Sequence, residues 1–223
     1  MKYIFVAVTM LLTTALFSQT EKNLGDFKEV KVYDRIEVEL VKADENKVVV
    51  SGKNTEDVVF VIKNETLKIR MTLEKIFNGD ETEVKVYYKN IDIIDANEGT
   101  FIGSNDIFEQ FEIDLRAQEG GSIKLQVKDL TFLNIKAITG GSLQVTGNSK
   151  NQNVDINTGG TYKGKSLQTE KTDVVIRAAG EASVYATKEV TAKVRAGGSV
   201  YIYGNPETVD ENTVFGGKIV RKN

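Results

Sequence analysis

The sequence predicts an all-β protein, most of it a stacked β-solenoid with coils of about 20 residues, preceded by a β-rich N-terminal part. Three observations predict it. Apolar and polar residues alternate with period two over most of the chain, a Gly-Gly-Ser/Thr corner returns at nearly constant intervals, and no helical period is present after residue 18.

The chain opens on one basic residue, Lys2, then the apolar run Tyr3 to Phe17, then Ser18 before the polar Gln19-Thr20-Glu21. This is the pattern of a secretory signal peptide over residues 1–18, with Ser18 the last residue removed. The run is shorter than the roughly 20 apolar residues of a membrane-spanning helix. No second such stretch follows, so the mature chain is expected to carry no transmembrane segment. No Cys follows the run, which excludes a lipoprotein anchor. The expected location is the periplasm, the cell surface or the medium, with residues 19–223 forming a single domain.

From Phe27 to Tyr88 the pattern is strand after strand. Val30, Val32, Ile36, Val38 and Leu40 alternate with polar residues, followed by Val48–Val50, Val58–Ile62, Leu67/Ile69/Met71 and Val84/Val86/Tyr88. Turn-forming clusters such as Ser51-Gly52-Lys53-Asn54 and Lys63-Asn64-Glu65 separate them. The acidic Asn78-Gly79-Asp80-Glu81-Thr82-Glu83 lacks the ligand spacing of a calcium loop and is expected to be a hairpin tip. Residues 24–90 therefore form the β-rich N-terminal part.

Residues 91–220 repeat. Corners begin at 99, 121, 141, 160, 181, 198 and 217, with steps of 22, 20, 19, 21, 17 and 19 residues. A short alternating strand precedes each corner and another follows it. A unit this small cannot bury its apolar face alone and must stack on its neighbours. Strands then pair in parallel one turn apart, and glycine serves a sharp turn and a close approach between coils. The corner at Gly180-Glu181-Ala182-Ser183 departs from the Gly-Gly-Ser form, so an irregular coil is expected there.

Composition excludes most catalytic chemistry. The 223 residues include no Cys and no His, which removes Ser-His-Asp triads, Cys nucleophiles, disulfides and the usual zinc, haem and iron–sulfur ligands. No cofactor is expected. Without the signal peptide, 28 basic residues stand against 32 acidic ones, a net charge of -4, which argues against nucleic acid as a partner. No pair of carboxylates is marked as a glycosidase pair. Two outward sets remain as candidates. Arg116, Lys136, Asn157, Arg177 and Arg195 precede the corners and are expected to form a basic ladder. Lys124, Gln144, Lys163, Tyr185 and Tyr201 follow the corners, with Tyr203 one step further. From these, Arg177, Arg195, Tyr185 and Tyr201 are the expected ligand-binding residues, since guanidinium holds carboxylate or sulfate and a Tyr ring covers a sugar face.

The Gly-Gly-Ser corners, the β-rich first half, the signal peptide and the closing Val200-Tyr201-Ile202-Tyr203-Gly204-Asn205-Pro206 with Phe215-Gly216-Gly217-Lys218 resemble the head GIN domain family, labelled putative auto-transporter adhesin. The resemblance spans Leu24 to Val220. It implies a right-handed parallel β-helix in an envelope protein of a bacterium with an outer membrane, with no established reaction. The function expected is that of an exported, non-catalytic envelope module, adhesin-like or structural. Its expected partner is an envelope glycan or another envelope protein, and a homo-oligomer is open. The alternatives are a polysaccharide-acting enzyme and an oligomerising envelope scaffold.

Overall fold

The structure is a computed structural model and describes residues 20–222, so the signal-peptide expectation lies outside the described residues. The N-terminal part supplies β1 (Thr20–Asn23), β2 (Glu29–Val32), β3 (Glu37–Lys42), β4 (Lys47–Gly52), β5 (Val58–Lys63), β6 (Thr66–Met71) and β7 (Thr82–Tyr88). The repeats continue with β8 (Ile93–Ala96), β9 (Phe101–Phe108), β10 (Glu112–Gln118), β11 (Ser122–Ile138), β12 (Ser142–Asn157), β13 (Thr161–Lys163) and β14 (Leu167–Ile176). Last come β15 (Glu181–Tyr185), β16 (Glu189–Val194), β17 (Ser199–Tyr203), β18 (Thr208–Thr213) and β19 (Lys218–Arg221).

All belong to one sheet curled into a solenoid. Wall A runs β6-β2-β8-β10, then the second halves of β11 and β12, then β14, β16 and β18. Wall B runs β7-β3-β9, then the first halves of β11 and β12, then β13, β15, β17 and β19. Every neighbouring pair in these two runs is parallel, as the 20-residue repeat requires. β11 and β12 are long because each crosses from wall B to wall A at a bend. Alternation sends every second residue inward: Ile94, Leu115, Ile135, Val154 and Val174 from wall A meet Ile102, Ile123, Leu143, Tyr162 and Val200 from wall B. Each such burial stabilises by about 1.5–3 kcal/mol before entropy is counted.

The β-rich N-terminal part is itself wound into the solenoid, out of sequence order. The coil β2–β3 lies between β6–β7 on one side and β8–β9 on the other. Beyond β7, the antiparallel β4 and β1 extend wall B, and the antiparallel β5 extends wall A. The expected hairpin tip at 78–83 is corrected. β6 pairs with β2 and β5 in wall A and β7 with β3 and β4 in wall B, so residues 72–81 cross between walls and lead into β7.

The corners are tight two-residue turns with both central residues at positive φ: Glu98–Gly99, Glu119–Gly120, Thr139–Gly140 and Thr158–Gly159. Gly121 and Gly141 donate N–H back to the carbonyls of Gln118 and Ile138 at 2.8 and 2.9 Å, closing type I′ turns. The turns also stack. The N–H groups of Gly99, Gly120 and Gly140 donate to the carbonyls of Glu119, Thr139 and Thr158 in the next coil at 3.0–3.1 Å. The irregular coil expected near Gly180 is present: the positive-φ pair moves one residue on, to Ala179–Gly180 and then Gly197–Gly198. The two consecutive corner glycines thus have different reasons. Gly140 supplies φ +74°, and a Cβ there meets nothing within 4 Å. Gly141 has no positive φ, yet a Cβ there would collide with the Ala117 carbonyl oxygen of the preceding coil.

At the far end the inward positions change character. Glu211 occupies the row of Val174 and Ala192, and Arg221 the row of Ile202. The Arg221 Nε donates to Glu211 Oε1 at 2.8 Å, an ion pair laid across the last coil between the walls.

Gly141→Ala is expected to destabilise by about 2–4 kcal/mol because backbone must shift, whereas Gly140→Asn, whose side chain tolerates the left-handed region, stays within about 1 kcal/mol. Chemical denaturation of both variants checks the contrast, and equal losses would refute the division of labour. A second expectation concerns the stacked corners. Burial, then the neighbouring carboxylates of Asp34 and Glu119, push the Glu98 carboxyl above its usual range. A raised native value means that this group favours folding when protonated and that the benefit is lost as pH rises through the native value. Glu98→Gln should therefore raise Tm at neutral pH and narrow the gain seen on mild acidification, which thermal melts across the carboxylate range will show.

Candidate functional site

The two walls face one another across the core, so their outer surfaces look away from each other. On wall A the expected basic ladder is corrected by the register. Arg116 stands beside Asp95 and Lys136, and Lys136 beside Asp155. Asn157, Arg177 and Arg195 occupy a row two residues further along: the N–H groups of Arg177 and Arg195 donate to the carbonyls of Ile156 and Ile176, each at 2.9 Å. Alternation preserves the face when a strand shifts by two residues, so periodicity alone does not separate these rows. The result is a mixed-charge surface. Arg116 pairs with Asp114 at 3.0 Å, and Asn153 donates to Asn134, which donates to Glu112 and Asp114. Arg177 is held by Asp155 through two hydrogen bonds of 3.1 and 2.8 Å. The Asp155 carboxylate raises the Arg177 guanidinium further above its ordinary value. Arg195 lies exposed beside it.

On wall B the tyrosines gather at the C-terminal coils. Tyr185 is in register with Tyr203, while Tyr201 neighbours Ser183 and Val220. Inward Val184 and Ile202 are buried, so Tyr185, Tyr201 and Tyr203 project outward and are half-buried. Lys165 places its ammonium 5.0 Å from the Tyr203 ring centre, and Lys222 places its own 5.5 Å from the Tyr201 ring centre. Lys165, Tyr185, Tyr203, Gly204, Asn205 and Lys222 line an open depression of about 660 Å³. Of the four residues expected from sequence, only Tyr185 lines it. Tyr201 stands at its margin beneath Lys222, and Arg177 and Arg195 belong to the other wall.

Two features fix this surface. Gly204, at φ +90°, brings backbone against the Tyr185 ring, where a Cβ would stand 2.7 Å from a ring carbon. Inside the wall, Thr169 Oγ1 donates to the Tyr185 carbonyl at 2.6 Å. Thr169 also bonds Thr172, which accepts from Gln152, which accepts from the Tyr162 hydroxyl at 3.0 Å. Tyr162 is fully buried, and burial pushes its phenol far above the usual range, keeping it a donor. A buried, fully bonded chain of side chains thus anchors the backbone under Tyr185.

Chemically, the depression offers aromatic faces beside two ammonium groups on an otherwise mixed surface. Aromatic faces stack on apolar sugar faces or attract cations, and the ammonium groups attract carboxylate, sulfate or phosphate. Among the described residues no group of three or more Asp and Glu side chains is gathered as a metal site. Sequence alternation singles out Tyr203 but neither Lys165 nor Lys222, because both lysines lie outside the strands. The step of 18 residues from Tyr185 to Tyr203 is the signal that links the two rings.

A family model described as "putative auto-transporter adhesin, head GIN domain" matches residues 26–206. No curated protein matches the chain. Among solved structures, a putative adhesin from Bacteroides fragilis is similar with TM-score 0.83 at 13% identity, covering 94% of this chain and 98% of that one. A putative adhesin from Parabacteroides merdae gives 0.70 at 13%, covering 94% and 97%. A putative lipid binding protein from Parabacteroides distasonis gives 0.71 at 18%, covering 92% and 96%. At these identities the likeness establishes the fold.

Proposed function

Since the chain belongs to the head GIN domain family, described as putative auto-transporter adhesins, we propose that it is an exported, non-catalytic envelope protein that binds an envelope glycan through the tyrosine-lined face of wall B. The observation that carries this reading is the in-register pair Tyr185 and Tyr203 with Lys165 and Lys222 beside it. Neighbouring parallel strands lie about 4.8 Å apart, so the two tyrosines project from adjacent positions on one face, and a saccharide can lie over both. Lys165 sits over the Tyr203 ring, and an acidic sugar would draw its ammonium onto carboxylate or sulfate oxygens. Export is supported by the pattern of residues 1–18 and by the position of β1. Cleavage after Ser18 leaves β1, which begins at Thr20, whole. Among the described residues no helix is long and apolar enough to cross a membrane.

Two measurements test the reading. Intact mass of protein recovered from the periplasm or medium should correspond to a chain beginning at Gln19; an uncleaved Met1 species in the cytosol refutes export. On an array of neutral and acidic glycans, the double variant Tyr185→Ala/Tyr203→Ala should lose at least about tenfold in affinity for the best ligand. Lys165→Ala/Lys222→Ala should weaken acidic ligands and flatten their salt dependence. Arg195→Ala, on the opposite wall, serves as control and should bind normally. Folded Tyr185→Ala/Tyr203→Ala protein that binds as well as the parent would remove wall B from the reading.

A further inference from the structure

The solenoid has four terminal strands whose outer edges pair with nothing among the described residues: β5 and β18 in wall A, β1 and β19 in wall B. Exposed edges are normally guarded by charge. β1 carries Glu21 and Lys22, β18 carries Asp210 and Glu211, and β19 carries Lys218 and Arg221. β5 reads Val58-Val59-Phe60-Val61-Ile62 before its first charge, Lys63. Its inward Val58, Phe60 and Ile62 are only partly buried against the core, and the outward Val61 is 42% exposed.

The backbone fixes what this edge presents. β5 and β6 are joined by Asn64 and Glu65, at φ 51° and 58°, a two-residue hairpin loop flanked by Lys63 and Thr66. Such a loop closes on a hydrogen-bonded pair, and pairs alternate from there. Lys63, Val61 and Val59 therefore spend their backbone groups on Thr66, Lys68 and Arg70. The N–H and C=O groups of Val58, Phe60 and Ile62 point to the open side.

We propose that β5 is a self-pairing edge, and that its partner is β5 of a second copy of this chain, joined antiparallel across a two-fold axis at Phe60. In that register Phe60 faces Phe60 of the second copy and Val58 faces Ile62, so every free backbone group of the strand is used. Outward Val59 meets Val61. Lys63 of each copy falls opposite Asp57 of the other, one residue before the strand, so charge selects this register over a slip of two residues. The inward row of wall A, which runs through Ile69 to Phe60, then continues from one solenoid into the next. The surface is independent of the wall B glycan reading and lies at the other end of the stack.

The chain comprising residues 19–223 tests it by sedimentation velocity across concentration. The expected result is a monomer–dimer equilibrium that Val61→Lys weakens at least about tenfold, with an unchanged melting curve at dilutions where both proteins are monomeric, since this side chain is outward. Lys63→Glu should weaken the dimer, and adding Asp57→Lys should restore it. The protein has no Cys, so Val59→Cys and Val61→Cys proteins should form a disulfide-linked dimer when mixed and far less when oxidised alone. A chain that stays monomeric up to about 100 µM overturns the proposal. So does a dimer indifferent to Val61→Lys, or cross-linking no better in the mixture than in either variant alone. Protection of the Val58, Phe60 and Ile62 amides from hydrogen exchange only in envelope extract would assign the edge to a different protein and equally overturn it.

Discussion

The hydrogen-bonded stack of left-handed corners is the constraint on which the rest of the molecule depends. A corner that turns in two residues, with both N–H and C=O groups directed along the solenoid, sets the distance between walls and the register of every coil on the next. Positive φ at both positions satisfies it, and where the neighbouring coil approaches most closely, at Gly121, Gly141 and Gly160, the residue that follows carries no side chain. The core rows, the mixed charge on wall A and the tyrosine pair on wall B are consequences of that register.

The repeat was legible in the sequence for the same reason. Glycine is costly elsewhere in strands, so pairs of glycine at steps of about 20 residues have few explanations other than a coil corner. Rows were harder to read. Arg116 and Arg177 both face outward on wall A, and only the strand pairing shows that one stands beside Lys136 and the other beside Asn157. The same two-residue ambiguity separated Tyr185 from its true neighbour Tyr203. The order of the first coils had no signature at all. β2 and β3 alternate like any other strands, and nothing in their residues announces that β6–β7 and β8–β9 will enclose them.

The interior shows how a repeat accommodates a local exception. Tyr162 fills a position held by Leu143 in one neighbouring coil and Ala182 in the other. Its bulk is matched by the small Ala182, and its hydroxyl by Gln152 and the threonines beyond it. A buried polar chain of this kind is tolerable only when every member is bonded. Here its last bond goes to the backbone of a surface tyrosine. Packing in the core and shape at the outer face are therefore one problem at this level of the stack.

The Glu211–Arg221 pair bears on how a protein of this design can change length over generations. A coil laid directly on β18 and β19 would enclose both charges in an apolar row, and burying an ion pair costs several kcal/mol per ion before its attraction is counted. A coil duplicated between β10 and β12 meets neither this pair nor the buried polar chain, since Leu115, Ile135 and Val154 present nearly interchangeable rows to one another. Gain and loss of repeats are thereby channelled to the middle of the array, while the ion-paired coil is carried along unchanged as its lid.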